Sequence, residues 1–177
     1  MTAARGHGTS IAWVVALFDA HADGVFTLAR RMLWNTADGE DVVQRTFVRA
    51  FTRGHQLRDA SKARSWIYRI AYHECLTVLR ERRDIPTDPA LLPEREAPDR
   101  PDREVERRQL ALRLRAAIDT LPPTLRPAFV LRDVQGVPMT EVAAVLDVGL
   151  STAKMRVHRA RLRLRELLDE EDRRALR

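Results

Sequence analysis

The sequence predicts an all-α fold: two small helical domains joined by a flexible, proline-rich linker. Three observations carry this. Apolar residues recur at helical spacing along nearly the whole chain, while glycine and the alternating runs that mark strands are scarce. Five of the nine prolines fall within 84–103, a stretch otherwise charged or small. Hydrophobic residues make up 45% of 177 residues, enough for packed cores in one medium domain or two small ones.

The elements follow in order. A first helix is expected over 10–33. Its apolar start, 11–18, has the look of a signal-peptide core, but Asp19 interrupts it, and Val25, Phe26, Ala29, Met32 and Leu33 continue the helical pattern. No membrane-spanning segment is expected, and a cytoplasmic location follows. Asn35 and Thr36 break the helix. A second begins near Asp38, which can cap it, with Glu40 and Asp41 favoured beside the helix dipole. Its expected buried stripe is Val43, Phe47, Ala50 and Phe51. Residues 54–62 read as a polar loop in which Ser61 could cap a third helix over 63–83.

The first domain thus spans 10–83, the linker 84–103 and the second domain 104–172. In the second, Leu110, Leu114, Ala117 and Leu121 form one stripe, and Pro122 and Pro123 end that helix. Thr124 can cap the next, where Pro127 falls in the tolerant first turn, and Gln135-Gly136 closes it. Two helices follow, over 139–146 and 151–168.

Composition narrows function. The chain carries 31 Lys+Arg against 25 Asp+Glu, a net charge of +6. Only Lys62 and Lys154 are lysines, and arginine suits bidentate contacts to phosphate and guanine. The single cysteine, Cys75, excludes a disulfide framework and a multi-cysteine zinc site, and reads as a small buried apolar residue. The five histidines form no His-Glu-x-x-His pair, and no glycine-rich phosphate loop occurs. No catalytic residue, metal site or cofactor is therefore expected.

The last helix is the most informative. Ala153, Val157, Ala160, Leu164 and Leu167 make a narrow buried arc. The opposite arc carries Met155, His158, Arg159 and Leu162, flanked by Lys154 and Arg161. A short helix, a tight turn at 147–150 and a helix with a basic outer face make a helix-turn-helix that fits the major groove. On the third helix Trp66, Arg69, His73, Thr77 and Arg80 share one side. Cations interleaved with a ring suit unstacked single strands, although Trp66 alone is more often a half-buried packing residue. The second helix starts acidic, with Asp38, Glu40 and Asp41, then Gln44. That surface repels DNA, so any partner there is a protein.

Taken together, these residues resemble the sigma-70 family of RNA polymerase sigma factors, in its small extracytoplasmic-function (ECF) group. The first half is similar to sigma domain two, a three-to-four-helix bundle, through the run from Asp38 to Phe51 and the Arg64-Ser-Trp-Ile-Tyr-Arg-Ile-Ala71 segment. The second is similar to sigma domain four, with its helix-turn-helix, through Leu121-Pro-Pro123, Leu131-Arg-Asp133 and 152–161. The resemblance implies docking on the clamp coiled coil of the polymerase largest subunit through Asp38, Glu40, Asp41, Gln44, Arg45 and Val48, with a further contact to the flap region. It implies reading and melting of a −10 element by Arg58, Asp59, Ser61, Lys62, Trp66, Arg69, His73 and Arg80, where an extruded base costs a few kcal/mol. It implies reading of a −35 element by Ser151, Thr152, Lys154, Met155, Arg156, His158 and Arg159. The partners it implies are core RNA polymerase, promoter DNA and an anti-sigma factor, with no membrane insertion of the chain itself. The polymerase supplies the metal ions, so the chain needs no cofactor.

Several positions depart from the family pattern. Arg45 replaces a usual Glu, His73 and Thr77 a usual Asn and Asp, Asp147 the turn glycine, and Pro127 a Glu. Gly149 and Ser151 look exchanged, which would start the last helix late. The alternative is a helix-turn-helix regulator that never becomes a polymerase subunit. A polymerase-binding protein with no DNA role is a third possibility. Neither of these accounts for all three helix faces.

Overall fold

The computed structural model describes residues 10–84 and 103–175, so the expectations for the linker lie outside the described residues. Among these residues the secondary structure is helical throughout, with no strand. The helices are α1 (Ile11–Leu33), α2 (Thr36–Arg53), α3 (Ala63–Asp84), α4 (Arg103–Asp119), α5 (Arg126–Phe129), α6 (Met139–Leu146) and α7 (Leu150–Ala175).

Local chemistry sets the boundaries. The Ser10 side chain accepts from the Trp13 N–H at 3.1 Å and caps α1. Trp34 ends that helix in the left-handed region, at φ 53, with its N–H donating to the Arg30 carbonyl at 3.0 Å. The cap of α2 is Asn35, whose Oδ1 accepts from the Asp38 N–H at 3.1 Å. Asp38 is therefore not the cap, and α2 starts two residues earlier than expected. Asp59, not Ser61, turns the chain into α3, by capping the 3-10 turn Ala60–Lys62 that precedes it. No side chain caps α5, as expected from Pro127 in place of a carboxylate, and Thr124 does not cap it either. A widened turn, Val130–Val134, follows α5, and Gly136 at φ 64 closes the segment.

α1, α2 and α3 pack around Val25, Leu28, Leu33, Val42 and Ile67. α4 to α7 pack around Leu121, Leu131, Val142, Val145 and Val157. Two expected stripes shift. Phe51 is exposed, and Val42 and Thr46 are buried in its place. Leu114 is exposed, and Ile118 is buried. In length and apolar composition α1 is sufficient to cross a bilayer. Its second half is instead a core element, with Val25, Leu28 and Ala29 fully buried.

The two halves pack against each other. α3 lies against α6, and α1 against α5, in one continuous core. Gly24 permits part of this, since a Cβ there would overlap the Tyr68 hydroxyl and crowd Gln135 Oε1. The Tyr68 hydroxyl donates to Gln135 Oε1 at 3.2 Å, and Arg64 donates to the Gln135 carbonyl at 2.5 Å.

Candidate functional site

Three surfaces carry the residues singled out in the sequence. The first is the outer face of α2. Glu40, Asp41, Gln44, Arg45 and Val48 are exposed there. Arg45 Nη2 lies 3.4 Å from Asp41 Oδ2, one helical turn away, so the unusual cation is balanced within the face. Asp38 stands apart from this face. It is half-buried and paired with Arg82 of α3, which also donates to the Leu33 carbonyl at 2.9 Å. Asp38 thus holds α1, α2 and α3 together.

An apolar margin that the sequence reading missed adjoins this face. Val48 and Phe51 on α2 are exposed, as are Ile11, Val15 and Phe18 on α1. The Phe18 and Phe47 rings meet at 4.8 Å and connect the two strips. The periodicity of 11–18 was visible, but it does not say that Ile11, Val15 and Phe18 stay exposed among the described residues.

The second surface is α3 with its preceding loop. Arg69, His73 and Arg80 are exposed along one side, as are Arg58, Asp59, Ser61 and Lys62 in the loop. Asp59 Oδ1 accepts from the Ser61 N–H at 2.9 Å and the Ser61 hydroxyl at 2.7 Å. Those bonds, with Lys62 nearby, hold the Asp59 carboxyl below its usual pKa. Asp59 and Ser61 therefore shape the loop, leaving Arg58 and Lys62 as its outward cations. Trp66 is half-buried, its ring 6.1 Å from that of Trp13. Behind the face, Glu74 is buried to 1% and meets Arg49 at 2.6 Å.

The third surface is the α6–α7 unit. α7 begins at Leu150, one residue earlier than the periodicity predicted, so the exchange of Gly149 and Ser151 does not delay it. Asp147 takes the left-handed turn position, φ 54, that glycine fills with less strain. Ser151, Lys154, Met155, His158 and Arg159 are exposed, while Thr152 is half-buried. Arg156 differs. It is half-buried and lines an interdomain cleft of about 250 Å³ together with Tyr72, Leu76 and Arg80. Arg161 is tied to Asp133 by hydrogen bonds of 2.5 and 3.2 Å, which orient α7 on the preceding segment.

Nothing in the sequence pattern pointed to the groups joining the halves. Arg31 Nη1 donates to both carboxylate oxygens of Asp119, at 2.9 and 3.1 Å. Arg126 is 3% exposed and donates to the carbonyls of Ile118, Asp119, Leu121 and Arg31. Its guanidinium lies 4.1 Å from the centroid of the Trp34 ring. Burial lowers the Arg126 pKa to about 10, with Asp119 opposing, so it remains charged at neutral pH. The contacts of Arg31 with Asp119, and of Arg126 with Arg31 and Trp34, are long-range, with no local pattern to betray them.

Comparison with known families decides what carries these surfaces. The Sigma-70 region 2 model matches residues 17–85, and the Sigma-70, region 4 model matches 111–164. The RNA polymerase sigma factor CarQ of Myxococcus xanthus is 30% identical over 158 residues, covering 87% of this chain and 88% of that protein. This chain belongs to the sigma-70 family, as an ECF sigma factor. A further relative is the ECF RNA polymerase sigma factor SigE of Mycolicibacterium smegmatis. It is 38% identical over 153 residues, which are 84% of this chain and 58% of that protein. The fold is that of the sigma factor RpoE, solved in complex with the anti-sigma factor NepR from Bartonella quintana. The TM-score is 0.71 at 23% identity, covering 88% of this chain and 96% of that one. CnrH, solved in complex with the cytosolic domain of CnrY, matches with a TM-score of 0.66 at 26% identity, over 91% of this chain and 90% of that one. The sigma factor is therefore a transcription-initiation factor, and the conventional regulator is not favoured.

Proposed function

We propose that this sigma factor docks on core RNA polymerase through Glu40, Asp41, Gln44, Arg45 and Val48 of α2. Arg58, Lys62, Arg69, His73 and Arg80 then engage the −10 element as it melts. Lys154, Met155, His158 and Arg159, with Ser151 at the helix start, read the −35 element in the major groove. The observation that carries this division is the charge of the faces. The start of α2 presents Glu40 and Asp41, the latter offset by Arg45, whereas the outward faces of α3 and α7 present cations. The chain makes no bond itself, holds no cofactor of its own, and acts in the cytoplasm with a polymerase that supplies the metal ions. Asp38 and Asp59 act through structure rather than contact. An anti-sigma factor is proposed as a further partner, because both structural relatives above were solved in complex with a second protein.

Co-elution with bacterial core polymerase on size exclusion is the test, alongside a variant carrying Asp41→Arg and Gln44→Ala. The expected result is a stoichiometric complex that the variant loses while keeping its helical circular dichroism. A folded wild-type protein that stays apart from core polymerase would overturn the docking assignment.

A further inference from the structure

We infer that the junction of α1, α4 and α5 is a binding site for a nucleoside di- or triphosphate, with the Trp34 ring against the base and Arg30 and Arg115 on the phosphates. None of these residues is among those proposed to meet polymerase or promoter.

Four guanidinium groups converge at this junction. Arg30 and Arg31 come from the last turn of α1, Arg115 from α4 and Arg126 from α5. Two of them are committed inward. Arg31 Nη1 donates to the Asp119 carboxylate at 2.9 and 3.1 Å and to the Arg115 carbonyl at 3.3 Å. Arg126 is buried, and its donors go to backbone carbonyls. Arg30 is half-buried and Arg115 is exposed. Among the described residues, Asp119 is the one carboxylate whose charge reaches Arg30 and Arg126. Burial lowers the Arg30 pKa, and the neighbouring cations Arg31 and Arg115 lower it further, with Asp119 opposing. Four guanidinium groups against one carboxylate leave three positive charges unbalanced at a partly desolvated junction, where repulsion is poorly screened. A phosphate between Arg30 and Arg115 removes that repulsion, and two planar guanidinium forks suit its oxygens. One terminal phosphate carries about −1.5 to −2, so three cations call for more than one.

Trp34 supplies the other half of the site. It sits at φ 53, in the left-handed region that a bulky side chain enters only at a cost. Its indole lies on the Arg126 guanidinium, 4.1 Å from the ring centroid, yet the residue stays 45% exposed. Because Arg126 is buried, it takes the inner face of the ring and leaves the outer face to a flat partner. The Trp34 N–H donates to the Arg30 carbonyl at 3.0 Å, which keeps the ring one helical turn from that cation. A single ring beside a single cation cluster matches one nucleotide. A strand needs successive rings along a basic groove.

Isothermal titration calorimetry of the full, free chain tests this, with ATP, tripolyphosphate and adenosine as ligands and no magnesium. ATP should bind at one site per chain and raise the thermal midpoint. Tripolyphosphate should bind about tenfold more weakly, for want of a base to stack, and adenosine should not saturate. Arg30→Gln and Arg115→Gln should each weaken ATP and tripolyphosphate alike, by about five- to tenfold. Trp34→Gly, which a left-handed backbone accepts, should bring ATP down to the level of tripolyphosphate and leave tripolyphosphate unchanged. Arg53→Gln, which removes an exposed cation of α2, should alter none of them. Each variant is first shown to keep its helical circular dichroism. Folded wild-type protein without saturable ATP binding would overturn the inference. So would an ATP preference that survives Trp34→Gly, or losses in Arg53→Gln equal to those in Arg30→Gln, which would spread the binding over the basic surface at large. A fluorescein-labelled oligo(dT) strand completes the test. It should bind wild type and Arg30→Gln alike; a strand weakened as much as ATP would assign the junction to nucleic acid and overturn the inference as well.

Discussion

Asp133 grips Arg161 with both carboxylate oxygens, at 2.5 and 3.2 Å, and so fixes the promoter-facing helix α7 to the segment that follows α5. Asp133 also raises the pKa of Arg161, through its hydrogen bond and its charge. The pair is solvent-accessible, so its worth is about 0.5–1 kcal/mol. Asp133→Ala and Arg161→Ala should each lower thermal stability by that small amount, and the double variant by no more than one of them. A double-mutant cycle by thermal denaturation measures this. Additive losses would show that the two side chains act separately.

A larger loss is expected behind α3. The Glu74 side chain is 2% exposed and lies 2.6 Å from Arg49, which is half open to solvent. Removing the cation leaves a carboxylate with little water to replace it. Arg49→Met should therefore destabilise the protein by about 3 kcal/mol, the low end for a broken buried pair, because Arg49 itself is half open to solvent. Adding Glu74→Gln should recover part of the loss. Urea denaturation of the two variants decides the matter, and failure of the second change to recover stability would place the cost in packing rather than charge.

His21 gives a pH dependence with a defined sign. Burial, and secondarily the nearby Arg64 cation, lower its pKa from the ordinary 6.5. The folded protein thus favours neutral imidazole, and the unfolded chain binds the proton more readily. The contribution of His21 to stability is full above pH 6.5 and falls as pH drops through its lowered folded value. The thermal midpoint should decline between pH 7 and 5.5, and His21→Gln should flatten that decline. An unchanged slope in the variant would assign the effect to other groups.

Much of this architecture is legible in the sequence because it rests on local periodicity and on motif runs. Ala153, Val157, Ala160 and Leu164 were expected on one buried arc and are buried together. Cys75 was expected to be a buried apolar residue; it is buried, and desolvation pushes its thiol up to about 12. Caps were less legible. Asn35 precedes Asp38, and both can accept from a helix start, so the choice depended on backbone geometry. The interdomain seam was illegible for a stronger reason. Arg31 and Asp119 lie 88 positions apart, and nothing in the surroundings of either residue points to the other. Phe51 was misplaced for a related reason. Apolar spacing says which side of α2 a residue occupies, but not where along the helix the packing of the neighbouring elements stops.

The promoter-facing residues of α7 separate into two classes with different salt behaviour. Lys154 and Arg159 are exposed on the outer arc with Met155 and His158, whereas Arg156 is half-buried toward Tyr72. A cation that neutralises a phosphate releases a counterion, so losing it reduces the salt slope of binding by about one and weakens affinity on every sequence alike. Lys154→Ala and Arg159→Ala should each do this in promoter binding by the assembled polymerase complex, with a drop in promoter-directed transcription. Arg156→Ala should reduce the slope by less than this, because its guanidinium is half-buried on the flank of α7 and not on the outer arc. Filter binding or anisotropy across a salt series reads the slope directly. A full unit lost with Arg156→Ala would place Arg156 on a phosphate with Lys154 and Arg159.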